Sequence, residues 1–452
     1  MRDGETLRID LPAGPSRVLA DLRASGAEAV LVGGCVRDVV REVEPIDWDV
    51  ATSAPPEAVA ALFPGSIWEN RFGTVTVRDP DGGPSVEVTT YRSESAYRDQ
   101  RRPEEVTWGT SLTDDLARRD FTINAMAWLP GDGDTGTGTL VDPFGGAADV
   151  EAGVLRAVGD PDERFAEDAL RLIRAVRFAG RLSLRLDPAT EAAIRRGALA
   201  AATVSGERVQ DELLRILGGA SPSAAFELME RLGLLAVLLP ELAALRGIPQ
   251  RKPLPGDALD HSLRTADALP AADGVLRLAG LLHDVGKVTT LAEGHFLYHE
   301  VEGERLAGEV LERLRLPKAD ARRIGRLVRH HMFVYTSDWT DTAVRRFVRR
   351  VGTDLLPDLF ALRAADDAAS GIVDPEVGGW GELQRRAVAA TLDPLEPNQL
   401  AIGGDDLVAE LGIAPGPTIG ALLSGLLEAV LEDPSLNSRD RLLALARTMA
   451  AA

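Results

Sequence analysis

The stretch EAVLVGGCVRDVVREVEPIDWDV, residues 28–50, decides the fold of the first part of the chain. An apolar, β-rich run ends at Gly33-Gly34, and a helix-forming segment begins near Cys35. Glycines at such a turn let the backbone approach a phosphate closely, with the following amides free to bind it, although a Gly-Gly turn also fits a purely structural role. Ile46-Asp47-Trp48-Asp49-Val50 then reads as a second strand. Its period of two puts Asp47 and Asp49 on one face and Ile46, Trp48 and Val50 on the other. Two neighbouring carboxylates repel unless a cation lies between them, and Mg²⁺ takes one or two carboxylates plus phosphate oxygens. A lone Asp-x-Asp also fits a solvated strand edge; beside the glycine turn, a nucleotide-bound Mg²⁺ is the sharper reading. Glu87, in the β-patterned run SVEVTTY, is a candidate third carboxylate and, taken alone, equally a surface residue.

The chain around this stretch has 452 residues, 45% hydrophobic and 27% charged. That suffices for about three domains of ~150 residues and excludes disorder as the main state. No apolar run of ~18 residues occurs, and MRDGETLRID lacks a basic region followed by an apolar stretch. Neither a membrane span nor a signal peptide is expected, and the expected location is cytoplasmic. The single cysteine, Cys35, rules out an internal disulfide and a multi-thiolate metal site, so any metal is held by His, Asp and Glu. A formal charge of −20 excludes a protein that coats nucleic acid non-specifically, but not an enzyme with an RNA substrate.

The expected fold is α+β: a small mixed-sheet head followed by all-α domains. Short β-rich runs and Gly/Pro/Asp turns fill residues 1–150, the head. Leu/Ala/Arg stretches with three- and four-residue apolar spacing dominate from about 160 onward, so the rest should be almost wholly helical. Loops at 246–257 and 370–379 divide it into a neck at 151–245, a domain at 250–370 and a tail at 371–452.

In RFAEDALRLIRAVRF, residues 164–178, Phe165, Ala169, Leu172, Ile173 and Val176 follow helical spacing and define a buried face. Asp168 and Arg171, three apart, share another face. A surface ion pair is the plain reading. A chemical one exists: a carboxylate accepts from an exocyclic amino group while a guanidinium donates to an unprotonated ring nitrogen. Cytosine and adenine present that pair; uracil and guanine present a carbonyl beside a ring N–H. A wrong base would leave buried polar groups unpaired.

All six histidines lie between residues 261 and 331. His261, His283-Asp284 and a later aspartate, Asp366 with Asp367 as competitor, form a nitrogen and carboxylate set that suits Mn, Ni, Fe or Zn. His299, His330 and His331 are candidates for substrate phosphate or a second ion, and Lys287 for phosphate. Residues 316–350 hold nine Lys/Arg against three Asp/Glu, which suits RNA backbone contact and a solvated helix face about equally.

Gly33-Gly34, Arg37-Asp38 and Asp47-Trp48-Asp49, with FGTV at 72–75, EVTTYR at 87–92, RRP at 101–103, RRDFTINAMA at 118–127, DPFGG at 142–146, residues 159–178 and GERVQDELLRIL at 206–217, resemble the polymerase-beta superfamily. More narrowly they resemble the class II CCA-adding tRNA nucleotidyltransferases and their poly(A) polymerase relatives. The resemblance implies a nucleotidyltransferase head in which Asp47, Asp49 and Glu87 bind catalytic Mg²⁺, and Gly33, Gly34 and Arg37 hold the triphosphate. It further implies that Arg119, Asp120 and Asn124 support the nucleotide, and that Asp168 and Arg171 template CTP and ATP, with Arg174 and Arg177 completing the nucleotide-binding set. Trp48 is bulkier than the residue expected between the aspartates, but points away from them. The order H…HD…D resembles the HD-domain phosphohydrolases, implying His261, His283, Asp284 and Asp366 as ligands and hydrolysis of phosphomonoesters or cyclic 2′,3′-phosphates. The tail, IGGDDLVAELGIAPGPTIGALL, resembles the C-terminal region of the HD-containing members, which implies a grip on the tRNA elbow. The implied partners are tRNA, CTP and ATP, with neither DNA nor membrane. The implied activity is template-independent addition of C, C and A to the tRNA 3′ end. A poly(A) polymerase, a partial CC- or A-adding enzyme, and an HD phosphohydrolase with an RNA-binding head are the alternatives.

Overall fold

The structure, a computed structural model, describes residues 1–69, 73–79, 82–93, 107–109, 111–131, 136–250, 252–292, 295–374, 376 and 379–451. Phe72 of the FGTV block and the RRP motif at 101–103 lie outside these. The chain forms two compact units, Met1–Leu238 and Leu239–Ala452.

The first unit is built on a sheet formed by β1 (Thr6–Arg8), β2 (Ala29–Val32), β3 (Trp48–Thr52), β4 (Ile67–Glu69), β5 (Thr74–Val77) and β6 (Val86–Thr90). After a small ribbon of β7 (Arg92–Ser93) and β8 (Thr107–Trp108), β9 (Ala127–Pro130) and β10 (Thr137–Val141) complete it. The order is β1-β10-β9-β2-β3-β6-β5-β4, and β3 and β6 are the one parallel neighbour pair in it. The sheet is therefore mixed.

All four residues of β2 are buried, because helices and loops cover both faces of the sheet there. Leu31, Trp48, Val50 and Val88 pack with Leu22 and Trp128 on one side. Val30, Val32 and Ala51 pack with Tyr91 and Leu116 on the other. Strand alternation puts Asp49 and Glu87 on this second side. One expectation needs correcting: β3 begins at Trp48, and Ile46 is 77% exposed rather than inward. Pro45 has no N–H for the ladder, and β2 turns off at Gly33, so no neighbour extends the pairing to residues 46 and 47.

Beyond the sheet the first unit is helical, apart from a two-residue parallel pairing of Val154–Leu155 with Arg185–Leu186. The expected helix through 164–178 is broken. Pro161–Glu167 ends at Asp168, which has φ −148° and ψ 104°, and a second helix runs Leu170–Leu182. Phe165, Ala169, Leu172, Ile173 and Val176 are nevertheless all buried. Asp168 breaks the helix because its carboxylate accepts from the Leu170 N–H and from Arg208 on the helix Gly206–Leu217.

The second unit is nearly all helix. Asp257 and Asp260 cap each other's backbone at the start of Ala258–Ala268. Gly274–Leu282, His299–Arg313, Lys318–His330, Asp341–Val351 and Leu356–Ala369 follow, and Gly381–Ala390, Pro417–Glu432 and Arg439–Ala451 close the chain. Leu291–Ala292 and His295–Phe296 pair as a short hairpin, a second departure from the all-helical expectation. The helix His299–Arg313 passes so close to Gly286 that a Cβ there would stand 1.9 Å from the His299 carbonyl oxygen. Glycine in LLHDVGK is what lets His299 approach the His-Asp couple. No helix among the described residues is long and apolar enough to cross a membrane.

Candidate functional sites

In the head, the parallel register of β3 and β6 sets Asp49 directly beside Glu87, with Asp47 exposed at the approach to β3. Burial, then Glu87 and Asp47, push the Asp49 carboxyl up to about 6, against Arg119 and Arg37, which lower it. Carboxylate oxygens whose repulsion Arg119 and Arg37 offset only in part fit Mg²⁺. Gly33, at φ +74°, faces the same spot: a Cβ there would lie 2.9 Å from Arg119 Nη1 and 3.6 Å from Asp49 Oδ2. A side chain would fill the space between carboxylate and guanidinium.

A chain of hydrogen bonds leads from this spot into the neck helices. Arg37 Nη1 donates to Asn124 Oδ1 at 2.8 Å, and Asn124 Nδ2 to Asp120 Oδ1 at 3.1 Å. Arg174 Nε donates to Asp120 Oδ2 at 2.8 Å, while its Nη1 lies 3.7 Å from Glu212. Although burial works the other way, Arg174 and Asn124 hold Asp120 below the usual carboxylate range. Arg119 donates to the Asn124 carbonyl at 3.2 Å and pairs with Asp115. Its buried Nε has no partner among the described residues. Arg177 is 4% exposed, ion-paired to Glu212, with its guanidinium 4.2 Å from the Phe178 ring centroid. It is placed to stiffen this framework rather than to touch a ligand.

Asp168 and Arg171 are brought into the same framework but not to each other, which corrects the shared-face reading. Asp168 is held by two hydrogen bonds from Arg208, at 2.7 and 3.1 Å. Arg171 pairs with Glu167 at 2.5 Å and donates to the carbonyls of Arg164 and Arg118. The break after Glu167 separates their directions. Sequence reasoning missed Arg208 and Glu212, both within the quoted GERVQDELLRIL block, because a contact spanning about forty residues has no local signature.

The second unit gathers six imidazole and carboxylate groups into one buried cluster. His261, His283 and Asp366 form one potential ligand group, and His283, Asp284 and His331 another, each with its atoms within 4.8 Å of one another. His299 Nε2 is 3.3 Å from Asp284 Oδ1 and 3.2 Å from His331 Nε2. Nδ1 of His283, His299 and His331 each lies against a backbone carbonyl at 2.7–2.8 Å, turning Nε2 inward. His283 Nε2 is buried with no hydrogen-bond partner among the described residues, 3.3 Å from Asp284 Oδ2. These donors fit a divalent transition metal, and the orphaned nitrogen is its clearest mark. Burial drives His331 down to about 3, with His283 adding to the shift, so its imidazole is a neutral donor.

Between the competing aspartates, Asp366 meets His261 at 2.9 Å, whereas Asp367 accepts from Trp380 Nε1 at 2.7 Å. Lys287 Nζ lies 2.5 Å from Asp284 Oδ2, inside the cluster. His330 is not among the grouped ligand atoms, and burial and then Arg350, Arg329 and Arg326 lower its pKa. Two residues that sequence reasoning did not single out also reach the cluster. Gln250 Oε1 accepts from Lys287 at 3.2 Å, and Lys252 Nζ lies 2.8 Å from His261 Nε2 and 2.9 Å from Asp366 Oδ1.

The basic stretch 316–350 is less available than its charge suggests. Arg323 pairs with Asp273 and Asp358, Arg326 with Asp354, Arg345 with Asp393, and Arg346 and Arg349 with Glu428. Acidic residues elsewhere in the unit neutralise most of it.

Against known proteins, residues 29–156 match the poly A polymerase head domain family. Residues 183–245 match a family described as the probable RNA and SrmB-binding site of polymerase A, and 258–369 match the HD domain. A CCA-adding enzyme of Lactiplantibacillus plantarum is 34% identical over 438 residues, covering 96% of this chain and 95% of that protein. An A-adding tRNA nucleotidyltransferase of Deinococcus radiodurans is 37% identical over 425 residues, covering 89% and 91%. The crystal structure of the Bacillus stearothermophilus CCA-adding enzyme in complex with CTP superposes with a TM-score of 0.72 at 31% identity, covering 97% of both chains.

Proposed function

The chain belongs to the CCA-adding tRNA nucleotidyltransferase family, and from that membership we propose that it adds C, C and A to the 3′ end of tRNA from CTP and ATP, without a nucleic-acid template. The observation that carries the proposal is the in-register pairing of Asp49 with Glu87 next to the Gly33 turn, on a chain similar throughout to a CTP-bound relative. The 3′-hydroxyl oxygen of the RNA attacks the α-phosphorus of the nucleotide and gives up its proton to solvent, the bond to the bridging oxygen breaks, and pyrophosphate leaves with that electron pair. Asp47, Asp49 and Glu87 would hold Mg²⁺, which would acidify the hydroxyl and offset charge on the leaving group. Arg37 and Arg119, fixed through Asn124, face the triphosphate as positioned cations, while Gly33 keeps the approach clear. Asp168, oriented by Arg208, accepts from the exocyclic amino group of C or A, and Arg171 donates to the adjacent ring nitrogen.

The head and HD families are metal-dependent. For the HD cluster the reading is metal-dependent hydrolysis of phosphomonoesters or cyclic 2′,3′-phosphates, with Mn, Ni, Fe or Zn at His261, His283, Asp284 and Asp366. The lone buried thiol suits the cytoplasm as the place of action. Addition of A alone is the second reading, favoured by the 37% identity to the A-adding relative. An Asp49→Ala variant tests the division of labour: it should lose all nucleotide incorporation and keep any phosphatase activity. Incorporation surviving in that variant would contradict the assignment.

A further inference from the structure

Lys252 enters the HD cluster from outside the ligand pattern. The loop that carries it is pinned at both ends: Pro249 bridges Asp257, Ala258 N–H donates to the Ile248 carbonyl at 3.0 Å, and Gly247 N–H donates to Asp257 at 2.7 Å. From it, Lys252 Nζ reaches His261 Nε2 and Asp366 Oδ1 at 2.8 and 2.9 Å, and these two atoms are themselves 2.9 Å apart. An ion bonded to both at ~2.1 Å would lie within about 4 Å of that ammonium. At that range the two cations repel, and both draw on the same nitrogen and carboxylate oxygen. The charge balance agrees: Asp284 and Asp366 are matched by Lys287 and Lys252, one ammonium against each carboxylate. A divalent ion would make Lys252 surplus. Its side chain is 24% exposed, so a route to solvent exists.

We infer that Lys252 is a built-in counter-cation that competes with the divalent ion for His261 and Asp366 and so sets the metal affinity of the HD cluster. The inference rests on the reading of that cluster as a metal site. Loading then costs the withdrawal of the ammonium, and removal of that ammonium alone should tighten binding.

The test uses the full chain on an Asp49→Asn background, which weakens the carboxylate site of the head, with Co²⁺ as probe. Binding is followed by calorimetry and by the visible absorption of the nitrogen- and oxygen-ligated ion. Lys252→Met should bind at least tenfold more tightly than the background protein, and adding His261→Ala should abolish the gain. Metal-free melting curves of both proteins establish that each is folded. Equal or weaker affinity in Lys252→Met overturns the role of Lys252 and leaves the metal reading standing. Absence of His261-dependent binding in either protein overturns both.

Discussion

Asp49 and Glu87 are Cα partners across the parallel pair β3 and β6, on the sheet face that Gly33 also borders. Neither residue gains from this placement without a cation. The carboxyl of Asp49, ordinarily near 3.8, lies at about 6 because of burial and then Glu87. An acid whose pKa is raised by folding destabilises the fold as pH climbs from about 4 through 6, since the unfolded chain releases its proton first.

Asp49→Asn should therefore stabilise the metal-free protein at pH 7, by about 1–3 kcal/mol for a shift of this size. The gain should shrink as pH falls from 6 and vanish below about 4. Thermal melts in a chelator across this pH range check it. Mg²⁺ should narrow the difference at pH 7 by stabilising only the parent.

Gly33→Ala should cost about 1–3 kcal/mol, because φ +74° with ψ −126° is a backbone conformation that L side chains rarely adopt. It should also displace Arg119, whose Nη1 would meet the new Cβ at 2.9 Å. Nucleotide incorporation should drop at least tenfold while tRNA binding, measured by filter retention, changes less than threefold.

On the proposed role of Asp168 as acceptor for the base amino group, Asp168→Ala should relax base choice more than it weakens triphosphate binding, since the cations Arg37 and Arg119 stay in place. UTP and GTP incorporation relative to CTP and ATP is the readout. Unchanged selectivity would refute the templating role. Arg208→Ala should produce a milder version, as the carboxylate loses its two orienting hydrogen bonds.

Glu212→Ala should destabilise the first unit by about 3–5 kcal/mol, leaving Arg177 buried without its anion. Urea denaturation measures this, and Glu212→Gln should recover only part of the loss.

What could be read from the sequence was local. Alternation around Trp48 and Val50, the glycine turn and the H…HD…D order each need only a few neighbouring residues, and each named side chains that the fold brings together. Ile46 was misjudged because alternation alone does not say where a strand begins; Pro45 was the available signal. The Asp168 break was hidden beneath correct apolar spacing, since both helices bury the same side. Glu87 emerged as a candidate only through its pattern, while its pairing depends on a parallel register between strands nearly forty residues apart. Arg208, Glu212 and Lys252 meet Asp168, Arg177 and Asp366 across comparable or longer separations, and Lys252 comes from a proline-rich loop whose path no periodicity describes.

The most direct test of the central claim is to incubate the purified protein and Mg²⁺ with a tRNA trimmed to its discriminator base, supplying CTP alone, ATP alone and both, with an unrelated RNA as control. The account predicts two C residues from CTP, and a terminal A following them when both nucleotides are present. No incorporation on this tRNA, incorporation that stops at CC with both nucleotides present, or long A tracts on any RNA, would contradict it.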